Sequence, residues 1–178
     1  NIVRPLEAII RHFDRDATEV ADGGNQNRAL LILTDAAVDY IKQNRDHPFF
    51  VYLCHWDVHG PIRARSKVVE SYRKKLAGKQ WSKDWNPTYA AMIEAVDTSV
   101  GRVRQAVRDA GIAGNTLLIF TSDNGGLLGP TNNAPLRSGK GYAYEGGIRV
   151  PLIIKWPGAV KAGTTSAEPV TSVDYLPT

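Results

Sequence analysis

The chain has 178 residues, is 43% hydrophobic and 22% charged, and carries a net charge of +4 with a pI near 9.2. That is a one-domain length with the composition of an ordinary globular protein. No apolar run approaches the roughly 20 residues that cross a bilayer, and a single cysteine, Cys54, excludes an internal disulfide. Much of the basic excess lies between Arg63 and Lys83 and reads first as a solvated face, then as a surface that attracts an anionic substrate. No nucleic-acid-binding module accompanies it, so no nucleic-acid partner is expected.

In chain order, residues 1–27 form a loop-rich lead-in, of which 1–20 carry charge throughout and lack the apolar core of a signal peptide. The chain starts at Asn1 rather than Met and stops at Thr178 after Tyr-Leu-Pro, so both ends are expected to be cut from something longer. Thr34 is placed to cap a helix with Asp35 in its first turn, and Ala37, Val38 and Ile41 give the apolar stripe up to Asn44. Pro48 then opens Phe49–Cys54, whose aromatic and β-branched content predicts a strand. Residues 62–87 read as a polar surface insertion. Tyr89, Met92, Ile93, Val96, Val100, Val103 and Val107 recur at helical spacing and predict one buried face, ended at Gly111. The apolar runs beginning at Leu117 and Val150 predict two further strands, the first of them buried. The order helix, strand, helix, strand, loop, strand predicts an α/β fold with a mainly parallel sheet flanked by helices.

The chemistry gathers where strands end, the edge at which open α/β sheets bind ligands. Asp123 and Asn124 close the Leu117 run and offer a carboxylate and an amide oxygen. Such hard donors suit calcium or magnesium rather than zinc. As a bare four-residue match, Asp123-Asn124-Gly125-Gly126 reads first as a turn after a strand, and the residues farther along shift the balance. Lys140 sits between Gly139 and Gly141, but no Ser or Thr follows it and position 134 is Ala, which excludes a P-loop. His55 and His59 have the spacing of a zinc-protease helix, yet Trp56 replaces the required Glu and Gly60-Pro61 opposes a helix. His59 lies past a strand end and is a candidate for proton transfer. Cys54 reads as a small buried residue on the opposite face from His55. Glu145 and Arg149 read as a structural i, i+4 ion pair.

From about Leu33 to Thr178 the chain resembles a sulfatase of the alkaline-phosphatase-like superfamily. The resemblance is carried by Pro48–Tyr52 with His59-Gly60-Pro61, Tyr89–Glu94 with Val100-Gly101-Arg102, and Thr116–Gly126. It continues through Leu136–Gly141, Tyr144–Pro151, Trp156-Pro157-Gly158 and Asp174–Thr178. It implies that Asp123 and Asn124 bind a divalent metal, usually Ca2+ with Mg2+ as the alternative. It also implies that Lys140 contacts the sulfate group, and that His59 lies near the ester oxygen and protonates the leaving group. The family's nucleophile, a formylglycine made within Cys/Ser-x-Pro-x-Arg, has no counterpart here, nor do the upstream Asp pair and the upstream Lys and His. The chain is therefore expected to be part of one sulfatase catalytic domain, inactive alone. Sulfate esters, a sulfated glycan among them, are the expected substrates, and a periplasmic, extracellular or lysosomal site follows by resemblance. A phosphoric ester hydrolase of the same superfamily and an inactive calcium-dependent binding module are the alternatives.

Overall fold

The computed structural model describes residues 26–79 and 85–175. Nearly all of the lead-in, Lys83 of the basic stretch and the closing Leu176-Pro177-Thr178 lie outside the described residues. Three helices dominate: α1 (Gln26–Asn44), α2 (Ser66–Leu76) and α3 (Pro87–Asp109). A two-stranded sheet follows, β1 (Leu118–Thr121) and β2 (Leu152–Lys155), with the short helix α4 (Glu145–Ile148) between them. Among the described residues, no helix is long and apolar enough to cross a membrane.

Helix α1 starts eight residues before the cap expected of Thr34. Leu30, Leu33, Ala37, Val38 and Ile41 form one buried stripe, so the apolar pattern extends the helix through Thr34. Thr34 is fully buried in the helix interior, where its hydroxyl donates to Leu30 O at 2.6 Å. Asp35 is not a first-turn acid either: it receives Arg102 of α3 at 2.5 Å and ties the two helices together.

Helix α3 begins as its residues dictate. Asn86 accepts from the amides of Thr88 and Tyr89, Pro87 occupies the first turn, and Gly111 takes φ +74 just past the end. Its buried line is narrower than the apolar reading suggested. Met92, Ser99 and Ala106, seven residues apart, are at most 3% exposed, whereas Ile93 is 49% exposed. Small Ser99 and Ala106 lie where α3 meets α1, Ser99 against Thr34 and Ala106 in the cluster with Val38 and Ile41. The polar 62–87 segment holds α2, which packs on α3 and buries Val69.

Residues 49–56 run extended and outside any strand ladder, so the predicted Phe49–Cys54 strand has no partner among the described residues. The alternation is strict all the same. Positions 49, 51, 53 and 55 are partly buried and 50, 52, 54 and 56 exposed, with Phe49 and Val51 against the Val38–Ile41–Ala106–Val107 core. Cys54 is thus exposed rather than buried, because it falls on the outer phase of that alternation.

Strands β1 and β2 pair antiparallel, with Leu118 opposite Lys155 and Thr121 opposite Leu152, where a parallel neighbour was expected. The loop and α4 return the chain on itself, and such a reversal delivers an antiparallel partner. Leu118 packs on the helical core, but Ile119 and Phe120, which point to opposite faces, are each 40% exposed rather than buried, so neither face of the two-stranded ladder is fully covered among the described residues.

Candidate active site

Asp123 and Asn124 stand directly after β1, at its carboxyl end as predicted, with Asp123 exposed and Asn124 half-buried. Behind them the chain makes a knot of backbone on backbone. Gly125 N donates to Gly147 O at 2.9 Å, Gly146 N to Arg137 O at 2.8 Å, and Lys140 N to Gly126 O at 3.0 Å. Only glycine fits here: a Cβ on Gly125 would lie 1.8 Å from Gly146 O, and one on Gly147 would lie 2.0 Å from Tyr142 O.

Asn133 is the hub of this knot, and the sequence reading missed it. Its Oδ1 accepts from Gly126 N at 2.9 Å, while its Nδ2 donates to Gly126 O at 2.9 Å and Ser138 O at 3.1 Å. The second and third bonds join the Asp123 turn to the Lys140 loop and hold Ser138 at φ 62, a region few non-glycine residues adopt. One Asn in a polar loop gives no local signal of this. The pair of glycines at 125–126, seven residues upstream, was the available hint of a close approach.

The rest of the loop is tied at its rim. Arg149 meets Glu145 at 3.0 Å, the structural pair expected from the spacing, and the Arg137 guanidinium lies 3.8 Å over the Tyr144 ring.

The extended 49–56 segment reaches the same edge. The Tyr52 phenol is pushed above its usual range, chiefly by its hydrogen bond and charge interaction with Cys54, then by burial and the charges of Asp123 and Tyr175. Asp123 therefore lies within electrostatic reach of that segment's outer face. His59 follows on a turn closed by His59 N donating to Trp56 O at 3.0 Å, and its Nδ1 lies 2.9 Å from Gly60 O. A ring nitrogen facing a carbonyl carries the proton, which leaves Nε2 as the atom for proton transfer. The structure thus joins Asp123, Asn124 and Lys140 through one backbone knot, while His59 sits on a separate turn whose hydrogen bonds, among the described residues, run to Trp56 and Gly60.

His55, four residues earlier, faces inward and bonds Ser99 of α3 at 3.0 Å, and burial lowers its pKa from 6.5. Asp57 was not singled out by the sequence. Both its carboxylate oxygens are buried without a hydrogen-bond partner among the described residues, and burial pushes it up to about 6, an effect its own amide only partly offsets. Between 3.8 and about 6 the folded chain holds this proton more tightly than the unfolded chain, so stability falls as pH rises through that window and stays lower above it. Asp57→Asn is expected to remove the fall: thermal unfolding should show a higher midpoint than wild type above pH 6, and no difference below pH 3.8. A variant no more stable at pH 7 would rule out an unpaired buried carboxyl.

The donor set can be tested against a metal. One carboxylate and one adjacent amide oxygen fit a hard cation, and Asp123 makes no ion pair among the described residues. Two donors are a minority of the roughly six to eight that calcium takes. Among the described residues no group of three or more His, Cys, Asp and Glu could complete the shell.

An α/β unit with hard oxygen donors past a strand end and a lysine on the loop tied to them is similar to known proteins of one family. The family model described as Sulfatase matches residues 18–178. A protein named sulfatase from Formosa agariphila is 43% identical, over 82% of this chain and 28% of its own length. The N-acetylgalactosamine-6-sulfatase of Sus scrofa is 32% identical, over 99% of this chain and 33% of its own. The crystal structure of Ps i-CgsB in complex with k-i-k-neocarrahexaose superposes with a TM-score of 0.67 at 38% identity, over 76% of this chain and 29% of that one. The PsFucS1 sulfatase from a Pseudoalteromonas species does so with a TM-score of 0.59 at 29% identity, over 78% and 26%. The chain belongs to the sulfatase family, with its alkaline-phosphatase-like fold. It spans between a quarter and a third of the length of these relatives.

Proposed function

We propose that this chain supplies the metal-facing and leaving-group side of a sulfate-ester hydrolase. The observation that supports it best is the backbone knot, because Lys140 N bonded to Gly126 O fixes the ammonium-bearing loop to the turn bearing Asp123 and Asn124. Asp123 and Asn124 would hold a calcium ion, with magnesium as the alternative. When bound, that ion supplies positive charge against the sulfate oxygens. Lys140 adds a second cation from the adjoining loop, so negative charge developing on those oxygens is met by groups that need no reorganisation. His59 acts as the doubly protonated imidazolium: its Nδ1–H stays on Gly60 O while the Nε2 proton passes to the departing ester oxygen, leaving the ring neutral. The nucleophile and the remaining metal ligands belong to sequence outside this chain. Cys54 is not that nucleophile: it is exposed and followed by His55-Trp56-Asp57 rather than x-Pro-x-Arg.

A sulfated glycan is the proposed substrate class. Arg63, Arg65, Lys67, Arg73, Lys74, Lys75 and Lys79 are all exposed on and around α2, a surface that favours a polyanion. The relative bound to a neocarrahexaose and the relative named for N-acetylgalactosamine support the same reading. An export compartment or the lysosome is proposed for the protein on family grounds.

The test is made on the whole protein. Asp123→Ala is expected to abolish both calcium binding, followed by isothermal titration calorimetry, and hydrolysis of a sulfated oligosaccharide. Unchanged calcium affinity would remove Asp123 from the metal site. Faster turnover of the corresponding phosphate ester would move the protein to a phosphatase.

A further inference from the structure

The helix interface beneath the His59 turn contains a line of buried hydroxyls. Thr34 is 0% and Ser99 1% exposed, and they meet at 2.6 Å across α1 and α3. Ser99 also lies 3.0 Å from His55 Nε2, and Thr34 donates to Leu30 O at 2.6 Å. Counting protons fixes the direction of the whole line. The one hydroxyl proton of Thr34 is committed to Leu30 O, so Ser99 must donate to Thr34 Oγ1. The Ser99 proton is then committed as well, and the third bond forms only if His55 Nε2–H donates to Ser99 Oγ. Burial, which disfavours the charged imidazole, agrees with this single-proton form.

We propose that Ser99 and Thr34 are positioning residues for the reaction: they hold His55 as the Nε2–H tautomer and so fix the turn that carries His59. This rests on the reading of His59 as the proton donor to the leaving oxygen. The link is short. His55 enters the turn that His59 N closes on Trp56 O, so the only side-chain anchor of that turn to the helices is the His55–Ser99 bond among those described. A mispositioned reacting group costs rate without changing what the site contains.

The experiment uses the whole protein with two sulfate esters, one with a good phenolate leaving group and one with a poor sugar alcohol. The imidazole nitrogens are followed by 15N NMR, with His55 assigned through His55→Phe. Wild type is expected to show the Nε2–H tautomer at His55. Ser99→Ala should mix the tautomers, speed hydrogen exchange at the His59 amide, and lower kcat about 10-fold for the alcohol ester. The phenolate ester and both KM values should hardly change. His55→Phe, which removes the same bond from the turn side, should repeat the kinetic pattern if Ser99→Ala folds poorly. An Nδ1–H tautomer in wild type would overturn the proposal, as would equal losses on the two esters or unchanged His59 exchange in Ser99→Ala. If His59→Ala itself shows no dependence on the leaving group while Ser99→Ala still frees the turn, the role of His59 is what fails, and the anchor stands.

Discussion

Lys140→Ala in the whole protein is expected to lower kcat/KM on a sulfate ester by about 10²–10³ and to leave the unfolding midpoint unchanged. The two halves of this result come from different atoms of one residue. The Lys140 amide donates to Gly126 O and helps build the loop, and alanine keeps that bond. The ammonium enters no ion pair among the described residues, so its removal strips nothing from the fold. What it strips is positive charge beside the site where sulfate oxygens gain negative charge. Steady-state kinetics alongside thermal unfolding decide the matter. Wild-type turnover in the variant would exclude Lys140 from the site, and a large drop in midpoint would make it a folding residue.

Gly125→Ala should have the opposite signature. The new methyl would sit 1.8 Å from Gly146 O and 2.8 Å from Gly146 C, both backbone atoms with no rotamer to escape into. Either the knot opens, losing the Gly125 N to Gly147 O bond, or the loop shifts as a body. We expect a loss of about 3 kcal/mol in chemical denaturation, at the upper end of overpacking costs, together with loss of calcium binding. Gly101→Ala is the control: nothing lies within 4 Å of a Cβ there, and the residue is exposed in mid-α3. Alanine at that position should stabilise by about 0.5–1 kcal/mol. Equal effects at the two glycines would contradict the close approach.

The residues that could be read from sequence are those whose role is set by near neighbours. Helix α3 was legible because the apolar period fills it and Gly111 ends it, whereas its cap, Asn86 with Pro87, fell inside the 62–87 segment read as an insertion. The opposite phases of Cys54 and His55 and the placing of Asp123 past a strand followed from local alternation and run length, but which of the two faces inward was set by the helices beneath and was read the wrong way round. Thr34 misled because a hydroxyl is a natural cap, and only the opposite helix shows that it is buried and bonded to Ser99. Ser99 itself escaped because an apolar period counts Val96 and Val100 as core, while the close α1–α3 approach selects a small residue. The Asn133 hub escaped for the same reason at longer range. Its partners, Gly126 and Ser138, lie seven and five residues away and are met through their backbones.

Because the knot is made of main-chain atoms and glycines, shape and chemistry are written at different codons. Positions 125, 139, 146 and 147 tolerate almost no variation, whereas Asp123, Asn124 and Lys140 project from a frame that does not depend on their side chains. A library randomised at those three positions should yield mostly folded proteins with altered ion preference, which makes this loop a chassis on which selection can change the anion recognised without redesigning its support.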